Sequence, residues 1–316
     1  THALLYNQRL PKDMALAMVD EQHRFGVGQR EALSLFRTRS GEVPHFLSMT
    51  ATPIPRSLAL TLYGDLEVSI LREKPAGRLP IKTAVYIGEE RSRAYQAVRE
   101  AVARKEQAFV VCPLIDPSDT LGVRSAIDEQ KRLAEGPLRG LRIGLVHGRL
   151  KPEEKDQVMH AFRDGQLEVL VATAVIEVGV DIPRATVMLI EGAERFGLAQ
   201  LHQFRGRVGR SSLASSCYLL TDIQGDSLQR LQLMAQIDDG FQLAEEDLKR
   251  RGAGQLMGIE QSGQATFRAA RASDLELMQI AAQCANELLE KKEPMLEKYP
   301  RWNRMVEHLK RTEHME

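Results

Sequence analysis

The chain has 316 residues, 43% of them apolar, with 43 basic and 43 acidic side chains and a formal charge of zero. That size is enough for two domains and a tail, and the balanced charge excludes nucleic-acid binding by bulk electrostatics, leaving only local basic clusters for such a role. A run of about 18 apolar residues, the length a membrane-spanning helix needs, does not occur, and Cys112, Cys217 and Cys284 form no Cys-x-x-Cys metal pair, so buried, reduced thiols of a cytoplasmic protein are expected.

The first predicted element is the apolar run Met14 to Val19, read as a buried strand that delivers Asp20, Glu21, Gln22 and His23 to its end. A carboxylate there can hold Mg²⁺ through the ion's water shell, while its neighbour orients a water toward a γ-phosphate. The plain alternative is a helix cap or a solvated turn. A second strand, Phe46 to Met49, ends in the hydroxyls of Thr50 and Thr52 and is stopped by Pro53, which cannot extend a ladder. Those hydroxyls can bridge the carboxylates to a neighbouring domain. A third strand, Val68 to Leu71, closes a first α/β domain at about residue 72, and residues 73–80 (Glu-Lys-Pro-Ala-Gly-Arg-Leu-Pro) read as a linker.

From Ile81 to Asp222 strands alternate with helical patterns such as Glu90 to Lys105 and Pro152 to Asp164, which predicts a second α/β domain with a parallel sheet and right-handed crossovers. Within it, Ala108 to Leu114 is a strand, and Val146-His147-Gly148-Arg149-Leu150 is a strand-end loop in which Arg149 is a candidate phosphate contact. The strand Glu168 to Ala172 is followed by Thr173 and then by Glu177-Val178-Gly179-Val180-Asp181. Further on, Gln203-Phe204-Arg205-Gly206-Arg207-Val208-Gly209-Arg210 places three arginines among glycines. A guanidinium is a rigid fork of donors that matches phosphate, and the glycines let the backbone approach a ligand closely. A solvated basic turn is the alternative.

After Asp222 the apolar spacing becomes helical. Leu228, Leu231, Leu233 and Met234 and then Phe241, Leu243, Ala244 and Leu248 predict two amphipathic helices joined through Asp238-Asp239-Gly240, with glycine ending the first. Two final helices, 275–292 and 302–310, pack back onto the first domain in the simplest reading, with Trp302 as an anchor.

In their order these segments resemble the motifs of superfamily 2 helicases, and among them the RecG family of branched-DNA helicases. Asp20-Glu21-Gln22-His23 resembles motif II, Thr50-Ala51-Thr52 motif III, the strand around Val110 motif IV, Thr173 to Asp181 motif V, and Gln203 to Arg210 motif VI. The resemblance implies a RecA-like motor: the end of a first RecA-like domain (1–72), a linker (73–80), a second, complete RecA-like domain (81–222), a helical hairpin and loop (223–265) and C-terminal helices (266–316). It implies ATP and Mg²⁺ as nucleotide and metal, with Asp20 associated with the metal through water and Glu21 polarising the attacking water. Arg207 and Arg210 would reach the triphosphate. Gln22, His23, Thr50, Thr52, Gly179, Asp181 and Gln203 would couple nucleotide state to DNA. Thr1 and His2, which resemble the tail of a motif that touches the tracked strand, would contact DNA together with Arg149 and Thr173. Arg230, Arg251 and Gln261 fall on the positions of the family's translocation motif.

Branched double-stranded DNA, single-stranded DNA and single-strand-binding protein are the implied partners, with a monomeric state, no membrane and a bacterial cytoplasmic location. The phosphate-loop pattern G-x-x-x-x-G-K-[ST] does not occur in these residues. The expectation is therefore the C-terminal part of a larger motor, without its phosphate loop and wedge domain, that does not turn over ATP alone. Two alternatives stand beside it. One is an Mfd-like transcription-repair translocase, against which Gln22 and the short tail argue. The other is a non-catalytic DNA-binding remnant.

Overall fold

The computed structural model describes residues 15–21, 45–51, 69–71, 73, 77–113, 126–173, 182–251, 277, 280, 281, 283–285 and 287. The chain divides into two compact units, one comprising Thr1–Pro53 and Arg72–Ala244, the other Ile54–Leu71 and Glu245–Glu316. In the first unit a two-stranded parallel sheet pairs β1 (Leu16–Val19) with β2 (His45–Ser48) in the register Leu16 to His45 through Val19 to Ser48. The main sheet contains β3 (Lys82–Ile87), β4 (Gln107–Val111), β5 (Ile143–Val146), β6 (Val169–Ala172), β7 (Ala185–Ile190) and β8 (Ser216–Thr221), arranged β3-β8-β7-β4-β6-β5 with every pairing parallel.

Period-two alternation along the strands separates two cores. One face carries Phe109, Val111, Leu170, Ala172, Met188, Ile190, Cys217 and Leu219. Against it lie α3 (Pro152–Arg163), α4 (Leu198–Arg205) and α5 (Asp226–Gln236), through Phe162, Leu198, Leu201, Phe204, Leu231 and Met234. The other face carries Ala108, Val110, Val169, Val171, Val187, Leu189 and Leu220. It is covered by α1 (Arg91–Ala103) and α2 (Ala126–Glu135) through Ala94, Tyr95, Val98, Ala101 and Leu133. Strands β4, β6 and β7 are buried along their whole length, as parallel strands with helices on both faces must be. Cys112 and Cys217 are buried, and burial raises both thiols, that of Cys217 to about 12, so they act as small apolar residues.

Two expectations change. Residues 69–71 form no strand, so the third strand expected at Val68 to Leu71 is absent among the described residues. Gly240 opens the second hairpin helix, α6 (Gly240–Arg251), rather than ending the first, which stops at Gln236. The reason is Asp239, whose Oδ1 accepts from the N–H groups of Phe241 (2.7 Å) and Gln242 (3.2 Å) and so caps α6.

A charged network closes the C-terminal ends of β7 and β8. Arg91 bonds Glu191 and donates to both oxygens of Asp222 at 2.9 Å. Tyr95 donates to Glu191 at 2.8 Å, and Arg132 reaches the Tyr95 hydroxyl at 2.7 Å, Glu191 at 3.2 Å, and Glu129. Burial pushes the Tyr95 phenol up to about 12, so it stays a neutral donor. The Glu191 side chain is only 9% exposed, against 21% for Arg91 and 28% for Arg132. Glu191→Ala leaves two half-buried guanidiniums without their shared anion and is expected to cost about 3 kcal/mol, the low end for a broken buried pair. Urea denaturation of the two proteins measures it.

Candidate nucleotide-binding cleft

The ends of β1 and β2 bring the first two motif segments together. The Met49 N–H donates to Val19 O at 2.7 Å, which sets Asp20-Glu21 beside Thr50-Ala51. Asp20 is exposed, and its Oδ1 accepts the Glu21 N–H at 2.8 Å in a local turn. Glu21 has φ +52°, a left-handed conformation that costs a residue with a Cβ on the order of 1–2 kcal/mol. Its Oε2 accepts the Ala51 N–H at 3.4 Å, so the motif III backbone helps to hold the carboxylate.

The third segment begins with Gly197 and α4. Leu198, Leu201, Phe204 and Arg205 are buried, and Phe196 meets Phe204 edge-on at 5.3 Å, which seats the helix on the sheet. His202 and Gln203 are left on the outer side. The helix then tightens: Arg207 N–H bonds Phe204 O at 2.9 Å and Val208 N–H bonds Arg205 O at 3.3 Å. Gly209, at φ +69°, turns the chain back. Arg210 Nε thereby returns to Gly206 O at 3.3 Å. These residues and the carboxylate turn line one cavity of about 620 Å³, bounded by Glu21, Ala51, Arg78, Gln203, Arg207 and Arg210, among others.

The three arginines are not equivalent. Arg205 is 3% exposed and donates to the carbonyls of Met234 (2.9 Å), in the last turn of α5, and of Ile237 (3.0 Å) and Asp238 (3.2 Å), just beyond it, and to His202 Nδ1 (2.9 Å). Burial pulls its pKa below the usual arginine value, opposed by Cys217 and Asp238. It is an internal brace. Arg207 and Arg210 line the cavity.

The remaining sequence-predicted residues are distributed as follows. Thr173 is buried, its N–H bonded to Val146 O at 3.2 Å, and its Oγ1 has no partner among the described residues. That bond joins the ends of β5 and β6, so Thr173 neighbours the loop of His147 and Arg149, where Arg149 is exposed and its N–H meets His147 Nδ1 at 3.3 Å. This pair lies apart from the cavity lining. Arg230 donates to the carbonyls of Phe196 (2.9 Å) and Glu194 (2.5 Å), tying α5 to the turn that precedes α4. Arg251 ends α6. Thr1, His2, Gln22, His23, Thr52, Gly179, Asp181 and Gln261 lie outside the described residues. Among the described residues no cluster of three or more His, Cys, Asp or Glu side chains could hold a metal. Glu21 lines the cavity with the guanidiniums of Arg78, Arg207 and Arg210, and Asp20 precedes it in the turn, a set that would suit a hydrated Mg²⁺ on a polyphosphate better than a dedicated protein cage. Sequence reading missed Arg78 because its Pro- and Gly-bearing surroundings signalled only a linker.

Three substitutions separate brace from cleft. Arg205→Ala strands three carbonyls and is expected to lower stability by about 2–3 kcal/mol, whereas Arg207→Ala and Arg210→Ala stay within about 0.5 kcal/mol of wild type. Gly209→Ala must keep φ near +69° with a Cβ 2.8 Å from Ile81 Cγ1, so it is expected to displace the loop and cost about 1–3 kcal/mol. Thermal and urea unfolding of the four variants check both.

Comparison with known proteins converges on one family. Residues 93–212 match the model of the helicase conserved C-terminal domain, and residues 237–315 match that of ATP-dependent DNA helicase RecG, domain 3, C-terminal. The ATP-dependent DNA helicase RecG of Synechocystis sp. is 49% identical over 95% of this chain and 36% of its own length. Those of Thermotoga maritima and Escherichia coli K12 are 46% and 48% identical over 91% and 85% of this chain and 37% and 39% of theirs. The chain thus spans a little over a third of these relatives. The solved structure of RecG bound to a three-way DNA junction matches with a TM-score of 0.68 at 42% identity, over 88% of this chain and 35% of that one. A single-substitution variant of S. cerevisiae Dbp5 bound to RNA and ADP BeF3, at 14% identity and a TM-score of 0.52 over 76% of this chain and 61% of that one, shares the fold. The α/β sheet order, the two arginines turned into one cleft with the strand-end glutamate, and identity sustained along nearly the whole chain place this protein in the RecG family of helicases.

Proposed function

We propose that the chain is the nucleotide-responsive and DNA-translocating portion of an ATP-dependent helicase that remodels branched DNA, such as stalled forks and Holliday junctions, in recombination and repair. The observation that carries this reading is the cavity in which Glu21 faces Arg207 and Arg210. A carboxylate and guanidiniums lining one cavity suit a γ-phosphate, because phosphoryl transfer needs positioning and charge stabilisation rather than covalent chemistry. The relatives carry the name of an ATP-dependent DNA helicase, and one was solved on a three-way junction, which supports the same substrate class.

In this reading Glu21 orients the attacking water and Asp20 holds Mg²⁺ through its water shell. The metal supplies neutralisation of phosphate charge. Arg207 and Arg210 stabilise the negative charge of the transition state, and Gln203 and Asp181 hold the interface. Gln22, His23, Thr50, Thr52 and Gly179 couple nucleotide state to DNA, contacted through Thr1, His2, Arg149 and Thr173. Arg230, Arg251 and Gln261 form a lever that converts rotation of the second motor domain into movement along the duplex. The carbonyl bonds of Arg230 to the turn before α4 support a transmitting role for it rather than a phosphate contact. The division at residues 72, 80, 222 and 265 into first motor domain, linker, second motor domain, hairpin and terminal helices belongs to the same proposal, as do a monomeric state, a cytoplasmic location and single-strand-binding protein as a partner.

The test uses the full-length protein that carries this segment. DNA-stimulated ATP hydrolysis is expected, and Glu21→Gln, Arg207→Ala and Arg210→Ala should each lower kcat by about 10³-fold or more while fork binding persists. The 316-residue chain, without a phosphate loop, is expected to show no turnover. Gln261→Ala is expected to leave hydrolysis intact and reduce fork unwinding, and equal loss of both would remove the lever. Salt-sensitive fork binding with no dependence on ATP would point instead to a non-catalytic DNA-binding protein.

A further inference from the structure

Arg78 lies in the segment whose sequence marks only a linker, yet it reaches the loop that carries the cleft arginines. Its Nε donates to Gly209 O at 2.9 Å and its Nη2 to Gly206 O at 3.4 Å. Those two carbonyls bracket Arg207 and Val208, and the Gly206 oxygen is the one that also accepts from Arg210 Nε at 3.3 Å. Ile81 presses on the same turn, close enough that a Cβ on Gly209 would lie 2.8 Å from its Cγ1. One residue later the Lys82 N–H bonds Ser215 O at 3.0 Å, where β3 joins β8. The stretch Arg78 to Lys82 therefore grips the loop between α4 and β8 by a guanidinium fork, an apolar contact and a backbone bond. Arg78 lines the cavity as well.

We propose that Arg78 is a positioning residue of the nucleotide cleft, which holds the Gly206 and Gly209 carbonyls so that Arg207 and Arg210 enter the cleft in the geometry that hydrolysis requires. The inference rests on the nucleotide reading of that cleft. Only a planar fork spans two carbonyls at fixed spacing; a lysine keeps the charge but not the fork. Two guanidiniums on one carbonyl oxygen also repel each other, and a polyphosphate between the cleft walls relieves that repulsion. The segment joining the two motor domains thereby sets the arginines directly, and its movement on domain closure reaches them through a side chain rather than through the core.

The test is steady-state, DNA-stimulated ATP hydrolysis by the full-length protein and its Arg78→Ala, Arg78→Lys, Arg210→Ala and Arg78→Ala/Arg210→Ala variants, with urea unfolding of each. Arg78→Ala and Arg78→Lys should both lower kcat by about 10- to 100-fold, the scale of a misplaced catalytic group, with KM for ATP and the unfolding midpoint little changed. In the double variant the Arg78 substitution should cost clearly less than it does alone, because the part of its effect that runs through Arg210 is gone while the part that runs through Arg207 remains. A lysine that restores the rate, together with a raised KM in the alanine variant, would make Arg78 a direct phosphate contact and overturn the proposal. Losses that multiply in the double variant, or unchanged kinetics in the single ones, would overturn it too. If Arg210→Ala is slow while the Arg78 variants are not, this inference alone fails. If the wild type hydrolyses no ATP, the nucleotide reading fails and the inference falls with it.

Discussion

The buried guanidinium of Arg205 is the interaction on which the cleft depends. It leaves water to join three carbonyls at the C-terminal end of α5 and a histidine nitrogen on its own helix. A charge taken from water costs several kcal/mol, and only a full set of acceptors makes that tolerable. The same bonds satisfy carbonyls that the end of α5 would otherwise leave without partners. Because Arg205 is the last residue of α4, the brace determines where the chain leaves the helix and hence where Arg207 and Arg210 begin. Arg230 supports the other end of α4 through the carbonyls of Glu194 and Phe196. The helix that presents the cleft arginines is thus held at both ends by arginines that face inward.

The sheet supplies the rigid reference for this arrangement. Apolar side chains on both faces of β4, β6 and β7 leave those strands little freedom, and the network of Arg91, Tyr95, Arg132 and Glu191 locks the ends of β7 and β8 against α1 and α2. Ligands in open α/β folds bind beyond the carboxyl ends of strands, where loops are free to carry side chains. Asp20 and Glu21 follow β1, and Arg149 and Thr173 follow β5 and β6, in keeping with that rule. Motif VI departs from it, because its arginines sit on the return path from α4 toward the start of β8. That route brings them to the linker and the carboxylate turn rather than to the strand ends that carry Arg149 and Thr173.

Much of this was legible in the linear chain. The continuous apolar runs near Ala108 and Val169 mark strands, and the helical spacings from Glu90 and from Pro152 mark crossover helices, because burial on two sides or on one imposes those patterns locally. Glu21, Arg207 and Arg210 could be named from the linear chain because their segments resemble motifs II and VI, although each segment alone also fits a cap or a solvated turn. Their assembly around one cavity was not written in their spacing.

The sequence by itself determined the class of fold, the order of its motifs and the kind of chemistry their side chains can perform. Tertiary structure decided where each arginine of that segment lies and what holds it. Arg205, Arg207 and Arg210 are chemically identical, and only the position of α5 assigns the first to the interior and the others to the cleft. It likewise decided that Asp239 caps α6 while the neighbouring Gly240 becomes its first residue, and that Arg78, in a stretch whose composition signals only a turn, reaches loop carbonyls some 130 positions away. Local preference fixes φ, ψ and periodicity within a few residues. Partners for a guanidinium or a carbonyl come from whatever segment the packed sheet brings within about 3 Å.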